Sequence, residues 1–417
     1  MIKNIDNFLE KYVFEENELS LFPGKSKKTK VSYLNYNNKH IKIFTNEFWT
    51  SKQRQSNSLH EISYRACFKA QLPRFFIELL TQENDIVYDP FAGRGTTLLE
   101  AALLNRNVIA NDINPLNKIL LKPRLLPPSI NEIKKRLDLI IFYDGLKADI
   151  DLSMFYHPKT ESEIVSLKKY LSQKKKKNTE DNVDQWIRMV ATNRLTGHSK
   201  GFFSVYTLPP NQAISQDRQK QINDKRKQNP AYRDVKKIIF GKTESLFKDI
   251  NKKTIEQLNC FGNKALFLTV DARNTKEIEN NSIQLTVTSP PFLDVVQYAD
   301  DNWLRCWFNE IDIKKIESKI TMAKKIEGWS KVMSKVFEEL YRITKNKGFV
   351  AFEVGEVKNG KIKLEEFVVP LGIRAGFNCV GIMINSQTFS KTSNCWGVNN
   401  NNKGTNTNRI VLFRKEE

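Results

Sequence analysis

The stretch DIVYDPFAGRGTTLLEAALLNRNVIANDINPL (85–116) decides the fold, because its residue pattern changes from one segment to the next. IVY (86–88) is a short apolar run, DPFAGRG is a glycine-containing turn, and TTLLEAALLNR has the apolar spacing of a helix. NVIAN (107–111) is a second apolar run, and Asp112 follows it directly. Strand, glycine loop, helix and strand in this order form a βαβ unit, which predicts a parallel sheet.

The rest of the chain extends this pattern and then interrupts it. Further strands are predicted at KALFLTVDARN, SIQLTVTSPPF, GFVAFEVGEV, NCVGIMINSQ and TNRIVLFRK, the last two as a closing pair. EISYRACFKAQLPRFFIELL (61–80) predicts an amphipathic helix that is broken near Pro73. The expected fold class is α/β: a doubly wound, mostly parallel sheet with an antiparallel closing strand and a mainly helical inserted subdomain. We expect an N-terminal arm and lead-in at 1–60, a sheet domain at 61–120 and 261–417, and a helical, basic insertion at 121–260.

Charge and composition narrow the class of partner. The net charge is +20, which favours a polyanionic partner such as nucleic acid over simple solubility. No stretch approaches the about 20 apolar residues of a membrane span, and the first residues lack the apolar core of a signal peptide, so we expect a cytoplasmic protein. The five cysteines and four histidines are scattered, which predicts neither a disulfide framework nor a metal site.

Three acidic residues follow three predicted strands around one glycine loop. Asp89 begins the loop, Asp112 ends the next strand, and Asp271 ends the strand after the insertion. A carboxylate at Asp112 can bind both ribose hydroxyls of a nucleoside, and glycines in the loop let the backbone approach a ligand closely. Each acid taken alone is also typical of a helix cap or a turn. Together they favour a cationic nucleoside without phosphate, the shape and charge of S-adenosylmethionine.

The motifs DPFAGRGTTLLEA, NDINP, VDAR and TSPPF, in this order, resemble those of the amino-methyltransferases of DNA, and the serine variant resembles the cytosine-N4 branch. FKAQLPRFFIELL (68–80) is similar to the segment that precedes the glycine loop in that family and helps to hold the methionine part of the cofactor. The resemblance implies a Rossmann-like methyltransferase fold, S-adenosylmethionine as cofactor and double-stranded DNA as partner. It also implies a restriction–modification system, with a cognate restriction endonuclease as the genetic partner. The expected cofactor-binding residues are Lys69, Pro73, Asp89, Pro90, Phe91, Gly93, Gly95, Thr96, Thr97, Asp112, Ile113, Asp271 and Ala272.

The loop TSPPF is the expected catalytic loop, and its residues suit an amino group. The exocyclic nitrogen of cytosine is a weak nucleophile, and Ser289 Oγ and the Pro290 carbonyl can accept its protons. Pro291 stiffens the loop, and Phe292 offers a face to a flipped base. Methylation at cytosine C5 needs a thiolate, and no Pro-Cys dipeptide occurs in the sequence. Three alternatives stay open: adenine-N6 methylation, an RNA amino-methyltransferase, and a DNA-binding protein that lacks catalysis.

The insertion and the tail supply the expected DNA contacts. In the insertion, basic residues stand among aromatic ones in a glycine- and proline-rich stretch, which suits phosphate contacts and a wedge beside an extruded base. The alternative is that the aromatic residues pack the core of the subdomain. In the better-known members of the family the insertion usually follows the strand that corresponds to the one ending at Asp271. In this chain the insertion precedes that strand. The expected DNA-binding residues are Arg194, His198, Lys200, Phe202, Phe203, Tyr206, Asn211, Gln212, Lys391, Asn394, Trp396 and Asn406.

Overall fold

The structure is a computed structural model of the 417-residue chain. It describes residues 4–14, 27–50, 56–65, 67–208, 214–291, 298–317, 325–354, 356–357, 362–386 and 407–416. The strands are β1 (Val13–Phe14), β2 (Lys27–Lys28), β3 (Lys30–Tyr36), β4 (Lys39–Asn46), β5 (Ile86–Asp89), β6 (Asn107–Asn111), β7 (Leu266–Leu268), β8 (Ile283–Thr288), β9 (Thr344–Val354), β10 (Glu356–Val357), β11 (Ile362–Lys363), β12 (Asn378–Ser386) and β13 (Thr407–Arg414).

The helices alternate with the strands at both ends of the chain and occupy its middle alone. They are α1 (Ile5–Lys11), α2 (Gln71–Leu80), α3 (Thr96–Leu103), α4 (Leu116–Leu125), α5 (Ile130–Leu139), α6 (Pro158–Lys176), α7 (Asn182–Arg194), α8 (Gln216–Arg226), α9 (Val235–Leu246), α10 (Lys252–Gly262), α11 (Tyr298–Phe308), α12 (Ile313–Glu317), α13 (Ile326–Ile343) and α14 (Leu364–Ala375). None of the described helices is long and apolar enough to cross a membrane.

A nine-stranded sheet has the order β3-β4-β12-β13-β9-β8-β5-β6-β7. The pairs from β9 through β8, β5 and β6 to β7 are parallel, and β13 runs antiparallel to both of its neighbours. All six residues of β8 are buried, because a central parallel strand has helices on both of its faces. The structure therefore confirms the predicted doubly wound sheet with an antiparallel closing strand.

The predicted N-terminal arm contains part of this sheet. β3 and β4 form a hairpin whose turn residues, Asn37 and Asn38, have φ values of 46° and 58°, as the favoured two-residue hairpin turns require. β4 then pairs in parallel with β12, more than 300 residues later in the chain. Nothing local in the sequence encodes that partner, so the arm and the sheet could not be told apart by pattern.

The predicted helix at 61–80 is shorter than expected. α2 begins at Gln71, and 61–64 has no regular structure. Pro73 stands in the first turn of α2, where no backbone N–H is needed for an intrahelical hydrogen bond. The proline therefore marks the start of the helix, and the predicted break near it is wrong.

The insertion is helical, as predicted, and it shares its core with the sheet. Trp186 of α7 is fully buried and its indole N–H donates to Thr243 Oγ1 of α9 at 3.1 Å. Leu98 of α3, Leu121 of α4 and Trp186 belong to one continuous apolar cluster that reaches from the sheet into the insertion. The division of the chain into a sheet domain and an inserted recognition region stays a prediction.

Candidate functional site

The carboxyl ends of four neighbouring parallel strands meet around one groove. The groove is lined by residues that follow β5, β6, β7 and β8 and by one face of α13. Parallel strands bring their carboxyl ends to the same edge of a sheet, which is where open α/β sheets bind ligands. Seven predicted site residues lie in its wall: Pro90, Phe91, Asp112, Ile113, Asp271, Ala272 and Pro291.

The glycine loop has the backbone conformation that the sequence required. Gly93 and Gly95 have φ values of 51° and 79°, which side chains with a Cβ rarely adopt. A Cβ on Gly95 would lie 2.7 Å from the Leu121 side chain of α4. The loop is therefore held against the first helix of the insertion, and Thr96 begins α3 directly behind it.

Asp112 is positioned to accept two hydroxyl groups. Its Oδ2 accepts from the Gly93 amide at 2.7 Å, and its Oδ1 accepts from the Asn114 amide at 2.9 Å. A carboxylate oxygen has two lone pairs, so each oxygen of Asp112 keeps one acceptor position for a ligand. Burial raises the pKa of Asp112 to about 6, although the two amide donors oppose that change.

Asp89 makes its hydrogen bonds with the protein itself, so its role in this structure is to join neighbouring elements. It is 2% exposed, and its Oδ1 accepts from the Thr288 hydroxyl at 2.6 Å and from the Phe91 amide at 3.1 Å. Burial raises its pKa to about 7, against the effect of the Thr288 hydrogen bond. The contact ties the end of β5 to the end of β8, and Thr97 ties α3 to β8 through the Val287 carbonyl at 3.1 Å.

Asp271 lies at the groove, but Arg273 occupies much of its hydrogen-bonding capacity. The Arg273 guanidinium contacts both carboxylate oxygens, with Nε at 2.9 and 3.0 Å and Nη2 at 2.5 Å. The hydrogen bond from Arg273 lowers the pKa of Asp271. An adenine amino group would therefore bind a carboxylate that is already ionised and oriented.

The loop after β8 places Ser289 near Glu353, an acid that no motif in the sequence singled out. Ser289 lies close to the Glu353 carboxylate at the end of β9, and Ser289 and Asn408 are the two polar groups that oppose the rise in the pKa of that acid. Asn408 Nδ2 of β13 donates to the same carboxylate at 2.7 Å. Burial raises the pKa of Glu353. Only the parallel pairing of β8 with β9 brings these two residues together, so no motif in the sequence revealed the pair.

Helix α13 holds the second proline of the same loop. The Trp329 indole N–H donates to the Pro291 carbonyl at 3.0 Å, and Trp329 is 3% exposed. Pro290 is buried, and in the described part of the chain no group hydrogen-bonds its carbonyl. Phe292, the expected stacking face, lies outside the described residues.

The two residues expected upstream of the glycine loop lie apart from the groove. Lys69 is exposed and lines a second, cationic cavity beside the loop, together with Tyr64 and Arg94. Pro73 is buried in the first turn of α2 and is absent from the described walls of both spaces. Their part in cofactor binding stays a prediction.

The expected DNA contacts of the insertion divide by exposure. Phe202 and Phe203 are 4% and 1% exposed, which agrees with the alternative that they pack the core, since a wedge must reach the surface. Lys200 is exposed, and His198 and Tyr206 are half-buried, with the Arg226 guanidinium 3.8 Å from the centre of the Tyr206 ring. Arg194 lines the same cavity as Lys69. The remaining expected contacts lie outside the described residues: Asn211, Gln212, Lys391, Asn394, Trp396 and Asn406.

The N-terminal part of the chain, with the glycine loop and Asp112, is the part that a family model matches. Residues 3–120 match the N6_N4_Mtase family, described as DNA methylase. The matched part thus contains the loop and the acid that form one wall of the groove, whereas Ser289 and Glu353 lie beyond it. The match is a likeness over residues 3–120, and it leaves the choice between N4 and N6 methylation open.

Curated relatives point the same way over limited lengths. The chain is 33% identical over 88 residues to the Type II methyltransferase M.MjaII of Methanocaldococcus jannaschii, a match covering 21% of this chain and 17% of the relative. It is 54% identical over 43 residues to M.HindIII of Haemophilus influenzae, covering 10% and 14%. It is 23% identical over 310 residues to M.BsoBI of Geobacillus stearothermophilus, covering 66% and 57%. The matches therefore span less than two thirds of each of these relatives.

The solved structures that resemble this chain do so at low identity and low TM-score. One is the putative DNA modification methylase TTHA0409 of Thermus thermophilus, complexed with S-adenosyl-L-methionine, at 18% identity and a TM-score of 0.22, covering 35% of this chain and 54% of that chain. Another is the rRNA methyltransferase aviRa of Streptomyces viridochromogenes, at 10% identity and a TM-score of 0.33, covering 86% and 89%. The strand order itself, and not these scores, carries the assignment of the fold.

Proposed function

We propose that this protein is an S-adenosylmethionine-dependent DNA methyltransferase that methylates N4 of a cytosine flipped out of duplex DNA. The observation that carries the proposal is the position of Ser289 beside the Glu353 carboxylate, at the end of β8 and next to the groove that contains Asp112. A restriction–modification system is the setting that the family match favours, and a cognate endonuclease would be the genetic partner.

The groove suits the cofactor by the chemistry of its walls. Asp112 keeps one acceptor position on each oxygen for the two ribose hydroxyls. Phe91, Ile113 and Ala272 supply apolar surface for the base, and Asp271 supplies an acceptor. The bound cofactor supplies an electrophilic methyl group on a sulfonium. The described walls carry carboxylates and few cations, as a positively charged ligand requires.

The catalytic loop provides acceptors for a weakly nucleophilic amino group. With its proton directed towards Glu353, the Ser289 hydroxyl would keep its lone pairs free to accept from an amino N–H. The Pro290 carbonyl is the second acceptor, and the Trp329 contact to Pro291 keeps the loop in place before the substrate binds. The raised pKa of Glu353 also suits an acid that receives the released proton through Ser289.

Replacing Ser289 by alanine tests this role. We expect Ser289→Ala to lower kcat by about a hundredfold, within the range of about 10²–10⁴ attributed to positioned proton transfer, while the Kd for the cofactor changes little. Glu353→Gln should also lower kcat, because a neutral amide is not basic enough to take up the proton that passes through Ser289. The measurements are methyl transfer from labelled cofactor to duplex DNA and cofactor binding by calorimetry.

The matched control is Ser282→Ala, at the other end of β8, where the hydroxyl donates to the Glu279 carbonyl at 2.8 Å. That variant should keep its kcat. Nucleoside analysis of the product separates the open alternatives: N4-methylcytosine is expected, and N6-methyladenine would overturn the choice of base. Cofactor binding without any transfer to DNA would favour a protein that binds DNA and does not methylate it.

A further inference from the structure

A second cavity, beside the glycine loop, has an unusual charge balance. Its volume is about 470 Å³, and its described walls come from residues 56–64, from 67–70, from Arg94 of the glycine loop and from the insertion. Lys69, Arg94, Arg194 and Lys242 contribute four cations to the described walls, and Glu61 contributes the one carboxylate. We call this space the cationic cavity. A site with this excess of positive charge favours an anionic ligand.

Arg194 is the most constrained of these cations. It is 8% exposed, and in the described part of the chain its Nε has no hydrogen-bond acceptor. Its Nη2 donates to the Asn193 amide oxygen at 2.6 Å, and its guanidinium lies 3.9 Å from the centre of the Phe202 ring. Asn193 and Phe202 fix the plane of the guanidinium without neutralising it. Burial, followed by the nearby charge of Arg305, lowers the pKa of Arg194 to about 10.

The neighbouring cations are not neutralised by buried acids either. Arg94 donates to the carbonyls of His60 and Ile62 at 3.1 and 2.8 Å and to Thr96 Oγ1 at 3.0 Å, all of them neutral groups. Lys242 Nζ lies 3.6 Å from a Glu61 carboxylate whose side chain is 48% exposed. Burial, followed by the charge of Arg194, lowers the pKa of Lys242 to about 8.

Glu100, an acid behind the wall of the cationic cavity, already has partners of its own. His60 Nε2 lies 2.6 Å from Glu100 Oε1, and Arg74 contacts the other oxygen of that carboxylate at 3.4 Å. Glu100 therefore does not compensate Arg194 or Lys242. Buried cations without a counter-ion are costly, and a bound anion would remove that cost.

We propose that the cationic cavity binds a backbone phosphate of the DNA substrate, with Arg194 and Lys242 as its principal ligands. The inference rests on the proposed function and identifies where that substrate contacts the insertion. A phosphodiester has two charged oxygens that match the forked donors of a guanidinium, with a lysine as a second point charge. The position beside the glycine loop would fix the DNA backbone relative to the groove, because phosphate contacts determine the register of a duplex.

Lys242→Gln tests the proposal without large loss of packing. We expect its affinity for every duplex to fall about equally, and the slope of log K against log salt concentration to decrease by about 1, as for the loss of one phosphate contact. Arg194→Gln should give the same pattern. Binding is measured by fluorescence anisotropy with short random-sequence duplexes at several salt concentrations, and circular dichroism verifies that each variant folds. Lys237→Gln is the matched control, because Lys237 is exposed on the same helix and does not line the cavity.

Two results would overturn the proposal. An unchanged salt slope for a folded Lys242→Gln protein is one of them. The other is a cofactor Kd that rises at least tenfold in both variants while DNA binding stays constant, because the cavity would then hold the carboxylate of the cofactor. These measurements involve no methyl transfer, so an inactive enzyme that binds DNA with the expected slopes would contradict the proposed function and leave the phosphate site supported.

Discussion

Single carboxylates in this protein have different tasks although they look alike in the sequence. Asp112 offers free acceptor positions to a ligand, whereas Asp89 Oδ1 already accepts hydrogen bonds from Thr288 and Phe91. Glu353 contacts a serine that would touch substrate. Burial raises the pKa of each of the three. Their environments, and not their residue type, thus assign their roles, which makes each testable by a neutral isostere.

At Asp112 we expect the affinity for the cofactor to depend on pH. Its pKa is raised to about 6, so acidification through pH 6 protonates the carboxyl and converts one of its acceptor oxygens into a hydroxyl. Cofactor affinity should therefore fall as the pH decreases from 7.5 to 5.5, at constant ionic strength. Asp112→Asn should bind more than tenfold more weakly at pH 7.5 and lose most of the pH dependence. Calorimetry at several pH values measures both, and an equally steep pH profile in the variant would contradict the assignment.

We expect the ionisation of Asp89 to destabilise the folded protein as the pH rises. Its pKa is about 7 in the folded protein, against an ordinary value of 3.8, so the folded state binds the proton more tightly than the unfolded chain. The free energy of unfolding should therefore fall as the pH rises from about 4 to about 7, by roughly 4 kcal/mol if the whole difference is expressed. Asp89→Asn keeps an acceptor for Thr288 and should gain stability at pH 8 relative to pH 5.

Urea unfolding at both pH values measures this difference. Asp85→Asn, at the other end of β5, is the control: Asp85 accepts from Lys345 Nζ at 2.9 Å and from the Gln82 amide at 2.8 Å. That variant loses an ion pair and should be less stable than the wild type. An Asp89→Asn protein that is equally destabilised at both pH values would show that the carboxylate is not a buried charge of this kind.

At the scale of elements, two helices prepare the two halves of the site. α4, the first helix of the insertion, places Leu121 where a Cβ on Gly95 would stand, so the insertion shapes the glycine loop. α13 holds the catalytic loop through Trp329 and lines the groove with Val332, Met333 and Val336. Neither helix carries a recognisable motif. Their contribution is to restrict loops that would otherwise have to become ordered when substrate binds.

For α13 we expect the indole contact to affect turnover. Trp329→Phe keeps an aromatic side chain in a buried position and removes the hydrogen bond to the Pro291 carbonyl. Loss of one partner of a buried hydrogen bond costs about 1–3 kcal/mol, which corresponds to a fall in kcat of about tenfold if the loop must be ordered again in each cycle. Steady-state methyl transfer measures kcat.

The control for this variant is Trp307→Phe in α11, since the Trp307 indole N–H donates to Asp149 Oδ1 at 2.6 Å and has no contact with the loop in the described hydrogen bonds. It should keep the wild-type kcat. A Trp329→Phe enzyme with unchanged kcat would mean that the two prolines alone hold the loop.

At the scale of the whole molecule, the insertion and the sheet share one continuous hydrophobic core. The apolar cluster that contains Leu98, Leu121 and Trp186 has no boundary at residue 121, where the sequence analysis placed one. The cationic cavity is a consequence, since its walls combine Arg94 of the glycine loop with Arg194 and Lys242 of the insertion. The insertion and the glycine loop are therefore held in a fixed relation to each other by shared packing.

The sequence by itself determined the parts of this protein that depend on local chemistry. The runs and spacing of apolar residues specified β5, α3, β6 and β8. Gly93 and Gly95 marked the loop because few residues other than glycine adopt positive φ. Asp112 stood out because it follows a strand, where a sheet of this class binds ligands.

Tertiary structure alone decided the contacts between segments that are far apart in the chain. Glu353 reaches Ser289 because β9 lies beside β8, β4 joins the sheet because β12 accepts it, and Arg194 meets Lys242 because α7 packs on α9. Pairing between distant strands and packing between distant helices depend on the whole set of buried surfaces. The residue pattern of one segment does not specify which distant segment packs against it, so only the folded chain reveals these contacts.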